Sequence, residues 1–154
     1  MSRLKLTVNE QKTHVCTLPD ERFDFLGYTF GRRFSPRTGR AYVDAGPSGR
    51  KVQALCQEVS EMTGRRWTLM AVQDRVARLN RLLAGWANYF SLGTVSRAYR
   101  AVDRHVARRL RQWLCDKYGL RGQGTGRFPD EYLYGELGLS RLSGRRGSLP
   151  WATT

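Results

Sequence analysis

Five arginines recur at helical spacing in the segment SRAYRAVDRHVARRLRQW, residues 96–113. At the rotation and rise of an α-helix they fall within an arc of about 80° and along about 21 Å of axis. A guanidinium is planar and always charged, and its donors match the geometry of a phosphate. The pattern therefore predicts a surface that follows a phosphate backbone, although a solvated charged face has the same pattern. We call this set the arginine ridge: Arg97, Arg100, Arg104, Arg108 and Arg111.

The charge of the whole chain favours a polyanionic partner. The 154 residues include 27 Lys+Arg and 13 Asp+Glu, for a formal net charge of +14, and only four of the basic residues are lysines. Residues 64–121 hold 13 basic and 3 acidic residues, so the charge is concentrated. A surface that contacts phosphates without reading base edges suits a folded RNA. The same arginines would also bind single-stranded DNA. The further candidate RNA-binding residues are Arg65, Arg66, Arg75, Arg78, Arg81, Asn88 and Tyr89.

Residue types that bind metals or form disulfides are scarce. The three cysteines and two histidines show no CxxC motif and no local ligand cluster, which predicts a reducing, cytoplasmic location and no metal in this chain. The longest uncharged run has 15 residues, too few to span a bilayer, so no membrane partner is expected. The N-terminus lacks the apolar stretch of a signal peptide.

The first third of the chain alternates short β-prone stretches with turn residues. KLTV (5–8), THVCTL (13–18) and FDFLGYTF (23–30) each predict a strand, and RRFSPRTGRAYV predicts a hairpin around its Pro-Arg-Thr-Gly turn. The breaker AGPSG (45–49) then marks the point where the apolar period changes from 2 to about 3.6.

Three amphipathic helices are predicted after residue 49. Their apolar stripes run from Val52 to Met62, from Leu69 to Phe90 and from Val95 to Trp113, with breakers at Gly64 and Gly93. The segment FPDEYLYGELG predicts a short helix, and a basic tail follows it. We therefore predict an α+β fold with strands at 1–45, a three-helix bundle at 46–120, and a C-terminal helix and tail at 121–154.

The stretch LNRLLAGWANYF (79–90) places a glycine inside the second helix. Gly85 costs up to about 1 kcal/mol there relative to alanine. We therefore expect a neighbouring helix to approach its backbone closely.

This stretch resembles domain X, the maturase-specific thumb region of group II intron-encoded reverse transcriptases. The matching features are Leu79-Asn80, Gly85-Trp86, Tyr89-Phe90 and an arginine-rich helix that ends in Leu-x-x-Trp at Trp113. LTVNEQKTHV resembles the sixth reverse-transcriptase block of that family, with Lys12-Thr13 as its Lys-Thr pair. FDFLGYTF resembles the seventh block, and EYLYGELGLSRL and RRGSLPWA resemble the C-terminal end of such proteins. The resemblance covers nearly all of the chain in the order of the family.

The resemblance implies an RNA-binding maturase-type module that assists the splicing of a group II intron. It implies a primer-grip-like region formed by Lys12, Phe25, Leu26, Gly27 and Tyr28. The polymerase blocks with their metal-binding aspartates precede the Lys-Thr block in that family, and only eleven residues precede it here. We therefore expect no catalytic residues and no polymerase activity from this chain alone, and expect Mg²⁺ to belong to the RNA or to a polymerase part elsewhere.

Two other interpretations remain open from the sequence. The chain is the C-terminal part of a split or truncated reverse transcriptase, with an upstream polymerase chain and a primer as partners. Or it is a decayed remnant without a function, in which the predicted strands leave sheet edges unpaired.

Overall fold

The computed structural model describes residues 22–145 and has the predicted α+β architecture. A three-stranded antiparallel sheet is followed by three main helices and a short π-helix. The elements are β1 (Phe23–Phe25), β2 (Tyr28–Phe34), β3 (Ala41–Pro47), α1 (Gly49–Met62), a 3-10 turn (Arg65–Trp67), α2 (Val72–Tyr89), α3 (Ser96–Tyr118) and the π-helical turn (Glu131–Glu136). The predicted strands at 5–8 and 13–18 and the end of the basic tail lie outside the described residues.

The prediction of one strand over FDFLGYTF is wrong, because the segment folds into a hairpin. β1 pairs with β2 in antiparallel register, with Phe25 opposite Tyr28. The two residues between them, Leu26 and Gly27, have φ angles of +52° and +83°. Two residues with positive φ form the type of turn whose twist matches a two-stranded antiparallel ribbon.

The second hairpin, between β2 and β3, confirms the prediction from RRFSPRTGRAYV. Phe34 pairs with Ala41, and the loop closes with a hydrogen bond of 2.9 Å from the Ser35 amide to the Arg40 carbonyl. The change from sheet to helix falls within AGPSG, where the Ser48 hydroxyl accepts a hydrogen bond from the Lys51 amide and caps α1.

The sheet is joined to the helices through the loop between α2 and α3. The Thr94 amide donates to the Ala45 carbonyl (3.0 Å) and to Oδ1 of Asp44 (3.1 Å). The Asp44 side chain is almost fully buried, and its other oxygen lies 3.1 Å from Nε of Arg33. This junction holds the β2–β3 hairpin against the start of α3.

The helical stripes form the core as predicted. All six apolar residues of the α3 stripe are buried, as are Leu55 and Val59 of α1 and the Val72–Leu83 part of the α2 stripe. Leu69 is the exception: its side chain is 96% exposed, since α2 begins three residues later and Leu69 lies in the preceding turn. Arg109 fixes α3 to the end of α1, because its guanidinium donates to the carbonyls of Ser60 and Thr63.

The C-terminal segment is held on the helices by two polar side chains. Asn80 donates to the Gly138 carbonyl (2.9 Å) and accepts from the Ser140 amide (2.8 Å). The carboxylate of Asp103 accepts from two further amides of the segment, Leu142 and Ser143, at 2.8 Å each. The predicted C-terminal helix is present as the π-helical turn, and its Leu133 is fully buried in the core.

Candidate nucleic-acid interface

Four members of the arginine ridge are exposed on α3, on the side opposite the buried stripe. Arg100 donates from Nε to the Ser96 carbonyl at 3.4 Å, within its own helix. Arg97, Arg104 and Arg108 form no ion pair and no hydrogen bond with the residues of range 22–145. Their guanidinium groups are therefore available, on this part of the chain, for an external anion.

Arg111 differs from the other ridge residues because the fold already engages it. Its side chain is only 13% exposed, donates to the Phe128 carbonyl (2.7 Å), and forms an ion pair with Asp130. Asp130 also pairs with Arg141 at 3.5 Å, and the Arg141 guanidinium stacks on Tyr134 at 4.0 Å. Arg111 is held as a structural cation at the base of the ridge.

A cleft of about 310 Å³ opens along this part of the ridge. Its lining brings together Arg100, Arg104, Arg111 and Arg141. Sequence reasoning did not single out Arg141, although the run SRLSGRRG is basic. Its position beside α3 depends on the contacts of Asp103 with the C-terminal segment, and the local sequence does not reveal these.

Arg75 is a correction to the predicted set, because it lies in the core. The residue is 2% exposed, its guanidinium lies 5.1 Å from the centroid of the Trp67 ring, and its Nη2 contacts Sδ of Met70. Burial lowers the pKa of Arg75, and the nearby charge of Arg78 lowers it further. Arg75 therefore cannot present its charge to a phosphate in this fold.

The other predicted arginines of this region are accessible. Arg78 and Arg81 are exposed on α2. Arg65 is 86% exposed and lies 3.6 Å from Asp116, a distance at which an exposed pair contributes little to stability. Arg66 is exposed and lies 5.0 Å from the centroid of the Trp67 ring.

Tyr89 joins α2 to the first hairpin while its side chain remains 55% exposed, so its contact with a partner stays a prediction. Its hydroxyl donates to the Leu26 carbonyl (2.9 Å), and its own carbonyl accepts from the Tyr28 hydroxyl. The Tyr28 ring lies 5.1 Å from that of Phe90. Asn88 is exposed, and its Oδ1 accepts from Arg145 at 3.3 Å. The aromatic residues of LNRLLAGWANYF therefore attach the hairpin to the helices.

The expectation of a close neighbour at Gly85 is also wrong. Gly85 is exposed, and a Cβ built on it would meet no atom within 4 Å outside its own helix. The close approach is instead at Gly93, in the loop after α2, where a Cβ would lie 1.8 Å from the Ala45 carbonyl oxygen.

Four residues of the predicted primer-grip-like region, Phe25 to Tyr28, form the tip of the first hairpin. Phe25 and Leu26 are 60% and 68% exposed, while Tyr28 is buried. Leu26 and Gly27 border a cleft of about 590 Å³ whose other walls include Lys51 and Trp86. The remaining residue of this predicted group, Lys12, lies outside the described residues.

A polar contact between Cys56 and Ser60 of α1 and His105 of α3 joins the two helices. Nε2 of His105 lies 2.9 Å from both the Cys56 carbonyl and Oγ of Ser60, and Oγ itself donates to that carbonyl. A carbonyl oxygen only accepts, so Nε2 carries a hydrogen and cannot take a proton from Ser60. Burial lowers the pKa of His105, a shift reinforced by Arg108 and Arg109 and opposed by the hydrogen bond to Cys56.

The match to a known family covers the helical part of this surface. Residues 52–127 match the model of the group II intron maturase-specific domain. This segment is a group II intron maturase-specific domain. It contains α2, α3 and the arginine ridge, so the resemblance seen in the sequence is confirmed for the thumb region. No curated protein matches the chain.

Two further observations bear on the chemistry of the described part of the chain. Among residues 22–145 no group of three or more His, Cys, Asp or Glu side chains is arranged to hold a metal ion. No helix in this range is long and apolar enough to cross a bilayer.

Proposed function

We propose that the chain is an RNA-binding, maturase-type module that binds structured group II intron RNA and assists its splicing. The observation that carries the proposal is the exposed face of the arginine ridge within the maturase-specific domain, where Arg97, Arg104 and Arg108 have no ion-pair partner among residues 22–145. A row of guanidinium groups neutralises phosphates and positions a strand, and the shape of the folded RNA supplies specificity. Any Mg²⁺ belongs in this proposal to the RNA, which carries the chemistry of splicing.

The fold holds the arginines of the ridge in fixed positions, as the binding of a folded RNA by shape requires. α3 buries a continuous apolar face, and Arg111 is tied to Asp130 at its base. The exposed arginines therefore have fixed spacing along the helix, and repulsion among them is relieved when phosphates bind between them.

The test is a charge reversal at the centre of the ridge. The double variant Arg100→Glu/Arg104→Glu should weaken binding to a folded group II intron RNA by more than tenfold and reduce the slope of log affinity against log salt by about 1.5. The matched control, Arg121→Glu/Arg127→Glu, makes the same change in net charge at exposed positions after α3. Circular dichroism checks that both variants keep their helices. An equal loss in both variants would mean that net charge, and not the ridge, binds the RNA.

A second candidate function is supported by the exposed tip of the first hairpin. Phe25 and Leu26 are exposed and Leu26 borders a cleft, as expected if the tip contacts a primer end in a reverse transcriptase completed by another chain. Adding this chain to a polymerase part should then stimulate primer extension, and Leu26→Asp should abolish the stimulation. Absence of stimulation with the unaltered chain would exclude this function.

A further inference from the structure

A second basic cleft lies between the β2–β3 hairpin, α1 and the start of α3. It has a volume of about 590 Å³, within the range of pockets that take small ligands. Two arginines border it: Arg33 from the sheet and Arg97 from the first turn of α3. Arg33 lies outside the matched domain segment and 64 positions before Arg97, so no local pattern in the sequence predicts that the two residues border one cleft.

The cleft has room because its walls are made of small residues. Gly46 and Gly49 come from the end of β3 and the start of α1, and Ala98 and Ala101 come from α3. A Cβ added at Gly49 would meet no atom within 4 Å. The lining is mainly apolar, which suits the faces of a base and a sugar.

The polar groups of the cleft suit a nucleotide. Nε of Arg33 lies 3.1 Å from the buried carboxylate of Asp44, while the Arg33 side chain remains 53% exposed, so its guanidinium can reach a phosphate in the cleft. Gln53 adds an amide that both donates and accepts, as recognition of a base edge requires. Arg97 belongs to the arginine ridge as well, so a strand that follows the ridge reaches this cleft at the N-terminal end of α3.

We propose that the cleft holds one unpaired nucleotide of the RNA that the arginine ridge binds, with Arg33 and Arg97 on its phosphates and the base against the small-residue walls. This proposal rests on the RNA binding proposed above. It adds a site at the N-terminal end of the ridge that distinguishes a strand with bases from a bare phosphate backbone.

The experiment compares a short single-stranded RNA with an abasic ribose-phosphate strand of the same length. The wild-type chain should bind the RNA at least fivefold more tightly. Ala101→Phe, which fills the cleft from an exposed position, should reduce this difference to less than twofold. The control Ala77→Phe makes the same substitution at an exposed position of α2 and should keep the difference.

Cys56 offers a second readout in the unaltered chain, because its side chain lines the cleft. The single-stranded RNA should slow the alkylation of Cys56, followed by peptide mass spectrometry, at least fivefold more than the abasic strand does. If the wild-type chain binds both strands equally and Cys56 is protected equally, the nucleotide site is overturned while RNA binding by the ridge stands. If neither short strand binds while the folded intron RNA does, the nucleotide site is overturned and binding of structured RNA by the ridge stands. If the folded intron RNA does not bind either, both proposals fail.

Discussion

Alanine substitution should change the free energy of unfolding in opposite directions at two glycines, Gly85 within α2 and Gly93 in the loop that follows it. Gly85 lies mid-helix on an exposed face, where a methyl group meets nothing within 4 Å. Alanine there restricts the unfolded chain and favours the helix, so Gly85→Ala should stabilise the protein by about 0.5–1 kcal/mol. That gain corresponds to a rise in Tm of about 1–4 °C for a chain of this size.

Gly93→Ala should be strongly destabilising for two separate reasons. The residue has a φ of +75°, which costs an L-amino acid with a Cβ about 1–2 kcal/mol. The new Cβ would lie 1.8 Å from the oxygen and 2.7 Å from the carbon of the Ala45 carbonyl, so backbone must move. The movement breaks the hydrogen bonds from the Thr94 amide to Ala45 and Asp44, each worth about 1 kcal/mol or more when buried. The total loss should be about 3–5 kcal/mol.

Urea denaturation followed by circular dichroism at 222 nm measures both variants against the wild type. The slope of the free energy of unfolding with urea should stay the same in the Gly85→Ala variant, since that substitution leaves the folded core unchanged. Destabilisation of Gly85→Ala by more than about 0.5 kcal/mol would refute the open environment of Gly85. A Gly93→Ala variant as stable as the wild type would refute the close approach of the sheet to the loop after α2.

Three further predictions test particular contacts. Asn80→Ala should cost about 1–2 kcal/mol, because two hydrogen bonds to the C-terminal segment are lost, and amide hydrogen exchange should accelerate at residues 138–143 rather than in α1. Arg75→Met should change the affinity for RNA by less than twofold because Arg75 is buried, whereas Arg78→Met should weaken binding at least threefold; equal effects would contradict the assignment of Arg75 to the core. The pKa of His105 is lowered in the folded chain, so below about pH 6.5 the unfolded chain takes up the proton first and stability should fall with decreasing pH. His105→Gln should remove this part of the pH dependence, and an unchanged profile in thermal melts between pH 7.5 and 5.5 would contradict it.

The helices and their buried faces could be predicted because periodicity reports which side of a helix is apolar. The stripe from Val95 to Trp113 is buried at every predicted position, and the exposed arginines lie opposite it. The same argument, applied residue by residue, would have found Arg75. At 100° per residue it lies about 40° from Leu79 and therefore beside the apolar stripe, whereas Arg81 lies on the opposite side. The charge of the whole region does not reveal which arginines lie beside the apolar stripe, so it does not exclude Arg75 from the RNA-binding set.

The turn at Leu26 could not be predicted from local propensity. Leucine rarely adopts a positive φ, and FDFLGYTF has the apolar and aromatic composition of one strand. The turn depends on contacts distant in sequence, including the hydrogen bond from the Tyr89 hydroxyl to the Leu26 carbonyl. The approach of Arg33 to Arg97 and of Arg141 to Arg104 likewise depends on tertiary packing that local sequence does not encode.

The most direct test of the proposed function is the affinity of the chain for a folded group II intron RNA, an unstructured RNA and a single-stranded DNA of equal length. All three should show a salt dependence of about −0.7 to −0.9 in the log–log slope per phosphate contacted. Binding to the folded intron that is at least tenfold tighter at physiological salt is the predicted result, because fixed arginines on α3 match phosphates that only a folded RNA holds in place. Equal binding to all three, lost together as salt increases, would contradict recognition of the intron and reduce the arginine ridge to a general polyanion-binding surface.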